Sequence, residues 1–117
     1  MITVYGLKNC YTCRKARKWL GEKGLEHRFH DVRGDGLDAA TLTAWASAIG
    51  WEKLLNRRGT TWRGLPDADK DGLDPTTAIA LMMAHPALIK RPVFDISGHY
   101  AIGFDEPVKS LLNGEKT

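Results

Sequence analysis

Two cysteines, the only ones in the chain, stand three residues apart in "LKNCYTCRKARKWL", at Cys10 and Cys13. A pair at this spacing can exchange disulfides, hold a metal with two further ligands, or fill space as small apolar side chains. The neighbouring residues favour the first. "ITVY", a β-branched run ended by Gly6, gives way to a segment whose apolar positions Cys13, Ala16, Trp19 and Leu20 recur at helical spacing, with Arg14, Lys15, Arg17 and Lys18 on the other face. Cys10 is therefore expected to open a helix in an exposed position, where free backbone N–H groups and the positive end of the macrodipole favour a thiolate and Lys8, Arg14 and Lys15 add positive charge. Cys13 lies on the apolar stripe and is sheltered. The expected division is attack by Cys10 and resolution of the mixed disulfide by Cys13.

Two other groupings imitate metal sites. His27 and His30 would complete a four-ligand set with the cysteines, but "HRFH" reads as a strand, where residues three apart face opposite sides. "DADKDGLDPTTA", residues 67–78, opens like a calcium-binding loop, yet its twelfth position is Ala78 instead of a glutamate and Pro75 interrupts it. A solvated loop followed by a helix cap is expected there, and no metal is expected at either place.

Arginines cluster in "RRGTTWR" and "IKRPVF", and Arg57, Arg58 and Arg91 are expected to converge on Cys10. "LIKRPVF" is a short polar break between apolar runs, which suits a site role for Arg91, whose planar guanidinium matches a carboxylate. In a thioredoxin-like layout the pair before the third strand faces the cysteine turn, and Arg91-Pro92 occupies that place. A cis peptide is expected there, leaving the preceding backbone free to hydrogen-bond the chain of a thiol substrate.

The elements that position these residues follow from the rest of the chain. Its 117 residues make one ordinary domain, with 43% hydrophobic and 26% charged residues and no apolar run near the roughly 18–20 residues of a membrane span. "MITVYGLKNC" shows neither a basic n-region nor a long apolar stretch, so a cytoplasmic protein is expected, a setting in which a structural disulfide is not. Seventeen basic against fourteen acidic residues give a net charge of +3. The basic residues crowd into positions 8–23, 57–63 and 90–91, which favours a small anionic substrate; without interleaved aromatics they form no recognised nucleic-acid motif.

The first strand and a helix over 11–23, stopped by Gly24, lead to a second strand in "LEHRFHDV", a unit that implies a right-handed parallel crossover. "LDAATLTAWASAIGW" is a helix capped by Asp38 and stopped by Gly50, and "EKLLN" continues it briefly. Residues 63–74 read as a polar surface loop. Asp74 and Pro75 open a further helix that Pro86 ends. "RPVFDI" and "YAIGF" form a hairpin about residues 97–99, followed by a last helix capped by Asp105 and carrying Val108, Leu111 and Leu112. The order defines an α/β protein of thioredoxin-like, glutaredoxin-type fold. It is a single domain, 1–117, with a helical insertion at about 37–90 between the N-terminal βαβ and C-terminal ββα units.

"NCYTCRKARKWL", "LLNRRGTTWRGL", "HPALIKRPVF" and "IGF", in that order, resemble the ArsC/Spx family of thioredoxin-like proteins, most of all its YffB branch, over residues 2–112. In the arsenate reductases of that family the cysteine matching Cys10 attacks the oxyanion, three arginines hold it, and glutathione and glutaredoxin complete the cycle. The resemblance places one arginine at Arg91 and another at Arg57 or Arg58. Gly103 stands where the third would be, and Gly6 where a histidine precedes the cysteine. The Spx branch shares the Cys-x-x-Cys and implies a redox-controlled regulator that binds RNA polymerase. The YffB branch implies a glutathione-dependent thiol-disulfide reductase. That last reading is the expected one, with no bound cofactor, glutathione as co-substrate, and Arg91, Pro92, Arg57, Arg58 and Lys8 as substrate-binding residues. The regulator is the alternative, with glutaredoxin or RNA polymerase as protein partner; arsenate reduction ranks behind both.

Overall fold

Alternation of buried and half-buried side chains along "ITVYG" makes β1 (Ile2–Gly6) a strand with Ile2, Val4 and Gly6 turned inward. The computed structural model describes residues 1–114. It contains two compact units, Met1–Gly36 with the chain from Arg91 onward, and Leu37–Lys90.

In the first unit β1 leads to α1 (Tyr11–Glu22) and β2 (His27–Asp31), and the chain returns from Arg91 as β3 (Val93–Ile96), β4 (His99–Ile102) and a last helix, Glu106–Gly114. The four strands lie in the order β2-β1-β3-β4. β1 runs parallel to β2 and antiparallel to β3, and β3 is antiparallel to β4. This is the expected thioredoxin-like arrangement. Parallel pairing forces a crossover helix, and α1 is that helix; its Ala16 and Leu20 enter the core with Ile2, Val4, Leu25, Phe94, Ile96, Ala101, Val108 and Leu112. Gly24 ends the helix region at φ +67, and Leu25 N–H bonds back to the Leu20 carbonyl at 3.0 Å while its side chain joins the core, the pattern of a Schellman stop. β2 accordingly begins at His27, two residues later than the alternation in "LEHRFHDV" suggests. Ser97 (φ 49) and Gly98 (φ 92) form the two-residue hairpin loop between Ile96 and His99, as a type I′ turn requires. On the last helix Val108 and Leu112, one turn apart, are buried, whereas Leu111 is 56% exposed.

The second unit is helical. α2 (Ala39–Ile49) begins where the Asp38 carboxylate accepts the Thr41 N–H at 2.7 Å. Gly50 takes φ +102, so Trp51–Leu54 forms a separate short helix, α3, instead of continuing α2. Two single turns follow, α4 (Thr60–Arg63) and α5 (Asp67–Lys70), the latter within the stretch expected to be a plain loop. α6 (Pro75–Ala84) starts in a capping box: Asp74 accepts from Thr77 N–H at 2.8 Å and the Asp74 N–H donates to the Thr77 hydroxyl at 2.9 Å. Pro86 opens a 3₁₀ turn, Pro86–Leu88, and the last helix of the first unit is α7. Leu55 and Ile89 pair in an isolated antiparallel bridge flanked by Asn56 N–H to the Leu88 carbonyl (2.7 Å) and Lys90 N–H to the Leu54 carbonyl (2.8 Å).

Among the described residues no helix is long and apolar enough to cross a membrane, and no group of three or more His, Cys, Asp and Glu is placed to hold a metal. The ring nitrogens of His27 and His30 sit on the carbonyls of Leu25 (3.0 Å) and Gly36 (2.6 Å).

Candidate active site

Cys10 occupies the N-cap of α1 with extended backbone (φ −111, ψ 120), and its carbonyl accepts the Arg14 N–H at 3.0 Å. A serine or aspartate oxygen at this position would accept an N–H of the first turn; here a sulfur stands in its place, and no side-chain cap closes the helix. The thiol is half-buried, not exposed as its position in the sequence suggests. Burial is the largest single influence on it and opposes ionisation. The Cys13 backbone N–H, the Cys13 thiol and the Arg91 guanidinium together outweigh that and hold the Cys10 thiol below its ordinary value.

Cys13, fully buried on the apolar side of α1, shows the reverse. Burial pushes its thiol up to about 12, and a negative charge on Cys10 pushes the same way; the Leu7 backbone and Arg91 only partly offset this. One thiol is thus set up to ionise more readily than an ordinary cysteine and the other to keep its proton.

Gly6 explains where the Cys13 sulfur can sit. A Cβ built on Gly6 would overlap the Cys13 Sγ and come within 3.3 Å of its Cβ, so the end of β1 can carry no side chain while that thiol is in place. The Arg91-Pro92 peptide is cis, and the Pro92 carbonyl accepts the Gly103 N–H at 2.9 Å. Gly103 has φ +83 with open space where a Cβ would go, so its backbone conformation, not crowding, favours glycine.

The first unit therefore brings Cys10, Cys13, Arg91 and Pro92 to one end of its sheet. Lys8 is exposed on the same turn, but the group that feels its charge is Asp31. Asp31 was not singled out in the sequence. Its buried carboxylate accepts the N–H groups of Arg33 and Gly34, both at 2.8 Å, and of Lys8 at 3.2 Å, so it ties the turn before Cys10 to the end of β2. The Gly34 N–H first, against the opposing effect of burial, with Arg33 and Lys8 helping, holds this carboxyl below the usual range. A lone aspartate ending a strand gives no sequence signal for such a role. Arg57 and Arg58 belong to the second unit and are exposed. With Lys90, Glu52 and Leu55 they line a recess of about 290 Å³; the Arg57 guanidinium lies 5.9 Å from the ring centres of both Trp51 and Trp62, and Arg58 N–H donates to Asn56 Oδ1 at 3.0 Å.

Comparison with known proteins agrees with this geometry. Residues 5–108 match the model of the ArsC family. The chain is 50% identical over 106 residues to an uncharacterized protein of Haemophilus influenzae, covering 91% of this chain and 93% of the other. The solved structure of a YffB protein superposes with a TM-score of 0.89 at 42% identity, covering 94% and 96% of the two chains. The global transcriptional regulator Spx of Streptococcus mutans is 30% identical over 108 residues, covering 91% of this chain and 78% of its own. The chain belongs to the ArsC family, whose thioredoxin-like fold it shares.

Proposed function

We propose that the protein is a glutathione-dependent thiol-disulfide reductase in which Cys10 attacks and Cys13 resolves. The observation that carries this is the placement of two thiols on one helix turn: Cys10 half-buried at the N-cap, where Cys13 and Arg91 favour its thiolate, and Cys13 fully buried on the apolar side. The Cys10 thiolate attacks one sulfur of a substrate disulfide, a new disulfide to Cys10 forms, and the other sulfur leaves and takes a proton. Cys13 then gives up its proton and displaces the second substrate sulfur, closing a Cys10–Cys13 disulfide. Two glutathione thiols reduce that disulfide, become oxidised glutathione and restore both cysteines.

Arg91, which bears on the Cys10 sulfur, suits the carboxylates of an anionic thiol such as glutathione, and Lys8, exposed on the turn before Cys10, supplies a further cation. The backbone beside Pro92 presents hydrogen-bonding groups to the substrate chain. Arsenate reduction has less support, because no arginine stands at Gly103 and no histidine at Gly6.

The test is glutathione-dependent reduction of a small neutral disulfide by wild type, Cys10→Ser and Cys13→Ser. Loss of turnover in Cys10→Ser, with wild-type activity present, is expected; turnover that survives without Cys10 sinks the proposal.

The likeness to Spx supports a second reading, in which the same thiol pair reports redox state to a partner such as RNA polymerase. Retention of RNA polymerase by the oxidised but not the reduced protein, with no glutathione turnover, would favour it.

A further inference from the structure

α1 carries its charges in an arrangement that works against its own stability. Arg14, Lys15, Arg17 and Lys18 are all exposed, and the one acidic residue of the helix is Glu22, at its far end. Like charges meet at i,i+3 (Arg14 with Arg17, Lys15 with Lys18) and at i,i+4 (Arg14 with Lys18), and Arg14 and Lys15 stand toward the end of the helix where the dipole disfavours cations. A helix that merely needs a solvated face intersperses glutamates among such residues. Among the described residues none of the four makes an ion pair; Arg17 lies over the Phe29 ring, 4.2 Å from its centre. The cation that bears most directly on the reactive sulfur is Arg91, from outside this helix. Tyr11, the first residue of the helix and the neighbour of Cys10, is 73% exposed.

We propose that this exposed face of α1 docks an acidic polypeptide segment bearing a cysteine in mixed disulfide with glutathione, a substrate class that rests on Cys10 being the attacking thiolate. The Cys10 thiolate attacks the glutathione sulfur; the bond between that sulfur and the partner's cysteine breaks as the Cys10–glutathione disulfide forms. The partner's sulfur leaves as a thiolate and takes a proton from water, so its cysteine is reduced as Cys10 is oxidised. The basic face draws the acidic flanks along the helix, and Tyr11 offers them an aromatic surface beside the reacting sulfurs. Nucleic acid would feel the same field, but it offers no disulfide to the adjacent thiol.

The experiment uses the whole chain and three synthetic peptides with one central cysteine flanked by glutamates, serines or lysines, each as its glutathione mixed disulfide. A second set has serine for cysteine, to measure docking by fluorescence anisotropy without chemistry. At low ionic strength the glutamate peptide should bind more tightly than the lysine peptide and be released at least about tenfold faster in a single turnover. The difference should collapse near 1 M salt, where the Debye length is about 3 Å. Lys15→Glu/Lys18→Glu should invert the order, in docking of the serine peptides, where no thiol chemistry takes place, as well as in release. If circular dichroism shows that reversal disturbs the helix, Lys15→Gln/Lys18→Gln should abolish the preference. Equal binding of the three serine peptides, or a preference for glutamate that survives both double variants, overturns the docking surface even if turnover is brisk. Tight docking of the glutamate peptide with no transfer to Cys10 overturns the substrate assignment together with the thiol reading. Displacement of the bound glutamate peptide by a duplex oligonucleotide at lower concentration than by free glutamate peptide overturns it in favour of nucleic acid.

Discussion

Replacing Gly6 by alanine should be costly, and the cost should vanish when the Cys13 sulfur is removed. The added methyl would overlap a sulfur that is itself fully buried, so either the strand end shifts or Cys13 adopts another rotamer. Overpacking of this kind destabilises by about 1–3 kcal/mol. In a Cys13→Ala background the nearest atoms to the new methyl are the residue-13 Cβ at 3.3 Å and Phe29 Cε1 at 3.6 Å, contacts that small adjustments accommodate. Gly6→Ala should then be nearly neutral, giving a coupling of about 1–2 kcal/mol between the two positions. Urea unfolding of wild type, both single variants and the double variant, all reduced, measures it. A displaced Cys13 also withdraws donors from Cys10, so Gly6→Ala should raise the pH at which Cys10 alkylates, with no further rise in the double variant. Additive costs in the two backgrounds would refute this reasoning and make Gly6 a matter of backbone and not of sulfur packing.

Three further outcomes follow from the site. Arg91→Ala should shift Cys10 alkylation to higher pH and lower kcat/KM with glutathione by about tenfold to a hundredfold, with Arg91→Lys recovering part of it; because the Arg91 guanidinium favours the Cys10 thiolate, attack on a neutral disulfide should slow as well, and unchanged kinetics with both substrates would return Arg91 to mere surface charge. Asp31→Ala, which leaves the Lys8, Arg33 and Gly34 N–H groups without their acceptor, should destabilise by about 2–3 kcal/mol in urea unfolding. Its lowered carboxyl contributes stability that is complete above the ordinary carboxylate value and is lost as pH falls through the folded one, so the difference between wild type and Asp31→Ala should narrow in acid. The raised Cys13 thiol has the opposite sign: below its ordinary value of 9.0 it leaves stability unaltered, and stability should fall as pH rises from there toward about 12, a decline that Cys13→Ala should lack when the two are compared by unfolding.

Much of the fold was legible because its signals are local. Periodicity located β1 and α1, the Asp38 and Asp74 caps and the Gly24, Gly50 and Pro86 stops set helix ends, and the βαβ spacing implied parallel pairing of β1 with β2. Single helical turns such as Thr60–Arg63 and Asp67–Lys70 are too short to show a period, and one apolar residue such as Leu111 does not reveal which side of a helix it takes. At the site, the sheltered place of Cys13 followed from its stripe on α1. What stayed hidden are contacts between elements: Gly6 read as a strand end and as the place of an absent histidine, with no sign of the Cys13 sulfur against it, and Asp31 was not singled out at all. Arg91 was legible as a site residue, but its bearing on the Cys10 sulfur depends on how β3 is registered beside β1.

The attacking role of Cys10 is tested most directly by mapping the glutathione adduct. Wild type, Cys10→Ser and Cys13→Ser are incubated with oxidised glutathione near neutral pH, quenched with acid, and analysed by peptide mass spectrometry. A glutathione adduct accumulating on Cys10 in Cys13→Ser, an internal Cys10–Cys13 disulfide in wild type and no adduct in Cys10→Ser is the predicted result. An adduct on Cys13 in Cys10→Ser, with Cys10 left unmodified in Cys13→Ser, would contradict it.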